Sequence, residues 1–128
     1  MTNLEIIKKS YAAGAAGNPP EMVADLSETG TWTEMAGAPY AGTFVGPQAI
    51  LDNVFMPMGR DWAPFACEPV DFYECGDTIV MVGWYFGKHG TTGKEFRVRV
   101  VHLWKLENGK IVSFEQFTDT KLLAEAMK

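Results

Sequence analysis

The sequence predicts an α+β fold in which helices gather on one face of an antiparallel sheet. Three observations carry this reading. Apolar spacing of helical period dominates the first half, and strand-like runs fill most of the second half. Between the last two runs, Asn108-Gly109 supplies the dipeptide that a tight hairpin turn favours. At 128 residues the chain is expected to form a single domain spanning residues 1–128.

The elements follow in order. Thr2 and Glu5 stand at capping-box spacing, and Leu4, Ile7 and Tyr11 then share one helical face with Ile6 beside them. Gly14, Gly17, Asn18 and Pro19 stop this helix. Pro20 suits the first position of a short second helix that buries Met22, Val23 and Leu26. Residues 31–35 (Thr-Trp-Thr-Glu-Met) read as a short strand, followed by a loop marked by Gly37, Pro39 and Gly42. Gly46-Pro47 starts a third helix with Ile50, Leu51, Val54 and Phe55 as its stripe, and Pro57 and Gly59 are expected to end it. Met56, Met58, Trp62 and Phe65 then fall in an irregular stretch, which reads as a pocket lid or as loose core filler. Strand runs are expected from about Glu68 to Cys75, Thr78 to Gly87, Glu95 to Leu106 and Lys110 to Thr118. A short final helix over 121–128 would be capped by Thr118, Asp119 or Thr120.

A two-residue turn at Asn108-Gly109 fixes a register by arithmetic. Leu106 faces Ile111, Trp104 faces Ser113, His102 faces Glu115 and Val100 faces Phe117. On the other face Leu103 meets Phe114, Val101 meets Gln116 and Arg99 meets Thr118. Both faces are largely apolar, whereas a half-buried sheet alternates apolar with polar. Helices cover one face; a second subunit packed sheet to sheet is the simplest cover for the other, so a homodimer is expected. The His102–Glu115 pair offers an imidazole beside a carboxylate, usable as a general base or as a hydrogen-bonded structural pair.

Composition narrows the chemistry. Sixteen acidic against eleven basic residues give a net charge of −5, which argues against a nucleic-acid partner and an anionic membrane surface. No apolar run has the ~20 residues of a membrane-spanning helix, and no secretory leader is expected from the N-terminus. Two histidines and two cysteines leave little material for a metal centre. No dinucleotide, phosphate-loop or serine-hydrolase motif is present, so no metal and no cofactor is expected. Cys67 and Cys75 read as two small buried hydrophobes in a chain expected to be cytoplasmic, with a structural disulfide between them as the alternative.

The layout as a whole resembles the nuclear transport factor 2-like superfamily, and within it the ketosteroid isomerase-like and SnoaL-like polyketide cyclase-like members. The resemblance rests on residues 11–18, 42–50 and 102–114 and on the ending Phe117-Thr118-Asp119-Thr120. It implies a cone-shaped α+β barrel, also called cystatin-like, in which a curved antiparallel sheet wraps N-terminal helices around a deep apolar cavity. It also implies dimers through the outer sheet face.

The site residues carry over one at a time. Isomerase-like members hold a general base on or just after the first strand, where Glu34 stands. Tyr11 lies near their phenol donor, and Val101 stands where their oxyanion-stabilising acid would be. Against the epoxide hydrolase-like members, Trp32 and Glu34 take the places of a Tyr and an Asn. Trp84 and Phe86 replace an Arg and an Asp, and Gln116 replaces a catalytic Asp. Neither catalytic set is complete. Tyr40 could reach the cavity mouth from its loop. Arg97 and Arg99 would offer charge to an acidic ligand if their face were concave, and are solvated strand-end charges otherwise. Trp32, Trp62, Trp84, Phe86 and Phe114 are expected along the cavity, with Trp104 and Phe117 toward a second subunit.

The functional expectation is a cofactor-free enzyme of isomerase, cyclase, lyase or hydrolase type. Its substrate would be a small apolar oxygen-bearing molecule. Glu34 would be the general base, and Gln116, Tyr40 or His102 would orient substrate or bind an oxyanion. The alternative is a non-catalytic dimeric domain that binds a small ligand, or an interaction module whose surface is the functional part.

Overall fold

The computed structural model describes residues 1–128. Helix α1 spans Asn3–Ala15, and its capping box is formed, with Thr2 and Glu5 bonded reciprocally. Helix α2 is the single turn Pro19–Met22, capped by the Asn18 side chain. Six strands follow: β1 Leu26–Glu34, β2 Gly42–Val45, β3 Trp62–Cys75, β4 Thr78–His89, β5 Glu95–Glu107 and β6 Lys110–Thr118. They form one open, curved sheet in the order β2-β1-β6-β5-β4-β3. Between β2 and β3 lie α3 (Pro47–Ile50), a π-helical turn (Leu51–Phe55) and α4 (Met56–Asp61). Helix α5 (Thr120–Ala126) closes the chain, with Asp119 as its cap. No helix is long and apolar enough to cross a membrane.

Several expected boundaries are corrected. The third helix runs through Pro57 to Asp61, because Pro57 falls in the first turn of α4, where a helix has amides to spare. Trp62 and Phe65 therefore belong to β3, and no irregular lid stretch exists there. Strand β1 begins at Leu26, and the expected loop contains β2, paired to β1 through Trp32↔Phe44 and Glu34↔Gly42. The sheet is mixed, since β1 runs parallel to β6.

The Asn108-Gly109 turn forms, with φ of 49° and 77° at its two residues. The register beyond it is not the one predicted. A bulge at Val112 shifts the pairing, so that Trp104 meets Phe114, His102 meets Gln116 and Val101 meets Phe117. The expected His102–Glu115 pair does not exist. The shift puts Phe114 and Gln116 on the face of His102 and Trp104, with Glu115 and Phe117 on the other. Between β3 and β4 the backbones also approach closely. A Cβ at Gly83 would lie 2.2 Å from the Glu68 carbonyl oxygen, so only glycine fits there.

The concave face packs against α1 and the helices between β2 and β3. Its core includes Ile7, Ile50, Val54, Ile79, Trp104, Leu106 and Ile111. A second cluster joins Trp62, Met81, Tyr85, Val98 and Val100 to Leu123 and Ala126 of α5.

Candidate functional site

Strand alternation decides which side chains meet on the concave face. On β1, Trp32 and Glu34 stand two apart and are both buried. β4 contributes Tyr85, β5 contributes His102 and Trp104, and β6 contributes Phe114 and Gln116. Tyr11 reaches them from α1.

His102 is the hub. Its Nδ1 lies 2.6 Å from the Tyr11 hydroxyl and its Nε2 lies 2.5 Å from the Tyr85 hydroxyl. Trp104 Nε1 donates to the Tyr11 oxygen at 2.9 Å. Gln116 Nε2 donates to the Tyr85 oxygen at 3.0 Å, while Gln116 Oε1 accepts from the Met35 amide at 3.1 Å. The Met35 amide can only donate, so it fixes which way the Gln116 amide points. Burial holds His102 well below its ordinary value, at about 3, so the ring is neutral. It then donates from one nitrogen and accepts at the other. Either tautomer leaves one of the two phenols accepting two hydrogen bonds, with its own proton free. The network therefore carries one spare hydroxyl donor, on Tyr85 or on Tyr11. Burial raises both phenols well above the ordinary value, so both stay protonated.

Glu34 lies next to this network, close enough to Tyr85 to act on its charge. Burial pushes the Glu34 carboxyl up to about 8, with a smaller opposing pull from the Trp32 indole. The two side chains do not reach hydrogen-bonding geometry, and Trp32 Nε1 is left as a sealed donor without a partner. Around it stand Phe114, stacked at 3.8 Å between ring centroids, and the edges of Phe55 and Trp104. Cys67 is close enough to influence both Tyr11 and Tyr85, and burial raises its thiol to about 12. No three His, Cys, Asp or Glu side chains converge as metal ligands.

Not every predicted residue joins the site. Tyr40 lies apart: its hydroxyl donates to Asp61 Oδ2 at 2.8 Å and accepts from Trp62 Nε1 at 3.0 Å. It ties the loop after β1 to the end of α4. Trp62 packs against Phe65, His89 and Phe96. Trp84, Phe86, Arg99 and Val101 are corrected to the convex face, because Tyr85 and Val100 beside them in sequence point inward. There the Arg97 and Arg99 guanidinium carbons sit 4.2 and 4.6 Å from the centre of the Trp84 ring. Trp104 is corrected in the opposite sense, from the subunit-facing side to the core. Tyr85 was missing from the expected site. With aromatics at 84, 85 and 86, alternation alone cannot say which one turns inward.

A curved mixed sheet wrapped on an N-terminal helix, with a buried carboxyl and a phenol–imidazole network on its concave side, defines the nuclear transport factor 2-like, ketosteroid isomerase-like class of fold. Residues 7–114 match the SnoaL-like domain model, and the chain belongs to that family. No curated protein matches the chain. Among solved structures it is similar to a nuclear transport factor 2-like protein from Burkholderia thailandensis E264, at 43% identity and a TM-score of 0.97 over 100% of this chain and 98% of that one. A nuclear transport factor 2-like protein of unknown function from Burkholderia pseudomallei K96243 is similar at 26% identity and a TM-score of 0.92, covering 100% and 99%. A protein with a ketosteroid isomerase-like fold from Catenulispora acidiphila DSM 44928, solved with trimethylamine, shares the fold at 18% identity and a TM-score of 0.85, covering 98% and 94%.

Proposed function

We propose that the concave site performs acid–base chemistry, without a cofactor, on a small apolar oxygen-bearing molecule, with Glu34 as the proton-transferring carboxyl. One observation carries this: a single carboxyl is buried among aromatics, with the Trp32 indole as the neighbouring donor, and is pushed up to about 8. As a base it works from its ionised fraction, about a tenth at pH 7, and that fraction grows as pH rises. It would take a proton beside a carbonyl. The spare phenol proton of Tyr85 or Tyr11 would meet the oxygen that gains charge. Gln116 holds Tyr85, and the tautomer of His102 sets which phenol donates. Tyr40 holds the loop at the edge of the site.

The test is α-proton exchange. Cyclic ketones in D2O should take up deuterium faster with the protein, with a rate that climbs with pH and levels off above about 8. Glu34→Gln should abolish the exchange and leave binding intact. Exchange that survives the substitution would place the base elsewhere. Binding without any exchange would favour the alternative, a ligand-binding domain. The closed hydrogen-bonding of His102, which leaves neither ring nitrogen free, is the feature that supports that second reading.

We also propose a homodimer through the convex face. Val80, Val82, Val101 and Leu103 are only half-buried there and Phe117 is exposed. A chain that sediments as a monomer at micromolar concentration would overturn this. A cytoplasmic location belongs to the same reading, supported by two cysteines that form no disulfide.

A further inference from the structure

We infer that α4, with Phe55 ahead of it, is a lid over the Trp32–Glu34 side of the concave site, hinged at the π-helical turn Leu51–Phe55 and latched by the Tyr40 hydroxyl. The inference deepens the acid–base reading of that site and rests on it for its purpose, although the motion itself needs no ligand to be seen. In this structure the site is shut. Trp32 and Glu34 are 3% and 5% exposed, and the Trp32 indole nitrogen is sealed. The surface grooves beside α2 and α3 and between β5 and α5 reach neither side chain. A molecule that is to meet Glu34 must first displace a covering element, and that opening then bounds the rate of turnover.

The cover is helical, not the irregular stretch expected around Met56 and Met58. Phe55 meets Trp32 edge-on, at 76° and 5.7 Å between ring centroids. Met58 packs against both core clusters, the one that holds Trp32 and the one that holds Tyr85. Glu34 neighbours both of those side chains, so Met58 bridges the clusters on either side of it.

Attachment is uneven along this segment. Ile50 and Val54 are fully buried and fix its first half. From Phe55 to Asp61 no residue is buried, and Met56 is 67% exposed. No other part of the protein stands within 4 Å of where a Cβ on Gly59 would lie. Helix α1, by contrast, buries Ile6, Ile7, Ser10 and Ala13. Packing is what holds a short helix in place, so α4 depends on its polar tethers. The Tyr40 hydroxyl supplies most of them. It donates to Asp61 Oδ2 at 2.8 Å, lies 3.3 Å from the Pro57 carbonyl oxygen and accepts from Trp62 Nε1 at 3.0 Å. One side chain thus grips both ends of α4. The Gly90 amide holds only the last residue, through the Asp61 carbonyl. Arg60 and Tyr40 keep the Asp61 carboxyl below its ordinary value, so the latch acceptor is charged at neutral pH. At the other end the Met56 amide bonds to the Leu51 carbonyl, five residues back. Turns of this kind kink helices and recur at functional sites.

The experiment is indole N–H exchange in D2O, followed by NMR on the 15N-labelled full chain. Each of four tryptophans gives one signal, and that of Trp32 is assigned with Trp32→Phe. Trp32 lies beneath the lid, whereas Trp104 lies beneath α1, bonded to Tyr11. Trp104 should exchange only through global unfolding, at a rate that climbs as dilute urea is added. Trp32 should exchange faster than Trp104 in water and keep nearly the same rate as urea rises, because a lid exposes little surface when it opens. Tyr40→Phe should speed Trp32 exchange about tenfold, the weight of one hydrogen bond. If that variant does not fold, the wild-type urea series decides by itself. The inference is overturned if Trp32 and Trp104 exchange at one rate with one urea dependence, or if Tyr40→Phe leaves the Trp32 rate unchanged. Ketone exchange that needs Glu34, with Trp32 released only by global unfolding, keeps the acid–base reading and sinks the lid. The expected indole pattern, with no ketone exchange in wild type or in Glu34→Gln, does the reverse.

Discussion

The two faces of β4 and β5 are built from much the same residue types and meet different fates. On the concave side Ile79, Met81, Tyr85, Val98, Val100, His102 and Trp104 are buried, and His102 and the Tyr85 hydroxyl are hydrogen-bonded. On the convex side Val80, Val82, Trp84, Phe86, Val101 and Leu103 are half-exposed, and Trp84 is covered mainly by the stems and guanidinium groups of Arg97 and Arg99. Hydrophobicity does not distinguish the two. What does is the helical layer, which seals one face and so turns every polar atom there into either a hydrogen-bonded group or an exception. The exceptions, Glu34 and Trp32 Nε1, are where chemistry can be placed. The convex face carries no such demand and is suited to contact with a second copy.

The largest expected difference between the faces is steric. Trp104→Ala should cost about 3–5 kcal/mol in urea unfolding, because a fully enclosed indole leaves a cavity. Trp84→Ala should cost roughly 1 kcal/mol in the isolated subunit, because arginine stems can close over the gap. Equal losses would mean the convex face is as sealed as the concave one.

Next comes pH. Glu34, raised from 4.5 to about 8, keeps its proton longer when folded, so its contribution to stability falls as pH rises between those values. His102, lowered from 6.5 to about 3, loses its proton sooner when folded, so its contribution falls as pH drops through that window. Between 4.5 and 6.5 the two slopes oppose and cancel. The protein should therefore show a plateau there, and lose roughly 1.4 kcal/mol per pH unit above it until Glu34 is ionised. Glu34→Gln should remove the loss on the alkaline side and uncover the His102 slope in acid. Urea midpoints from pH 4 to 9 measure both; a wild-type curve without the alkaline decline would contradict the burial of Glu34.

A smaller effect is expected from the phenols. Tyr85→Phe strands a Gln116 N–H and a His102 nitrogen, and Tyr11→Phe strands the Trp104 N–H and the other His102 nitrogen. Each should cost about 1–3 kcal/mol. Last, Phe117→Glu should change subunit stability by less than about 0.5 kcal/mol, as an exposed substitution does. Its effect should appear in sedimentation, as loss of the proposed dimer.

The legible part of this molecule was local. Thr2 and Glu5, Asp119 and Asn108-Gly109 satisfy or shape the backbone within a few residues, and the elements they start or join appear where expected. Glu34 was singled out through the family resemblance, by its place on the first strand, and it is buried there. The misread part was the side of the sheet. Trp84, Phe86, Arg99 and Val101 were expected along the cavity, Trp104 outside it, and Tyr85 was not expected at all. With apolar residues on both faces, alternation gives two equivalent answers, and the one-residue bulge at Val112 changes which answer holds for β6 relative to the turn.

Sequence alone therefore determined the α+β class, the strand count of the second half and the absence of motifs for common cofactors, because these depend on period, spacing and composition. Only the tertiary structure decided that His102 joins two phenols instead of Glu115, and that Glu34 is left unpaired. Those outcomes depend on which face curls around α1, a choice made by packing between residues far apart in the chain.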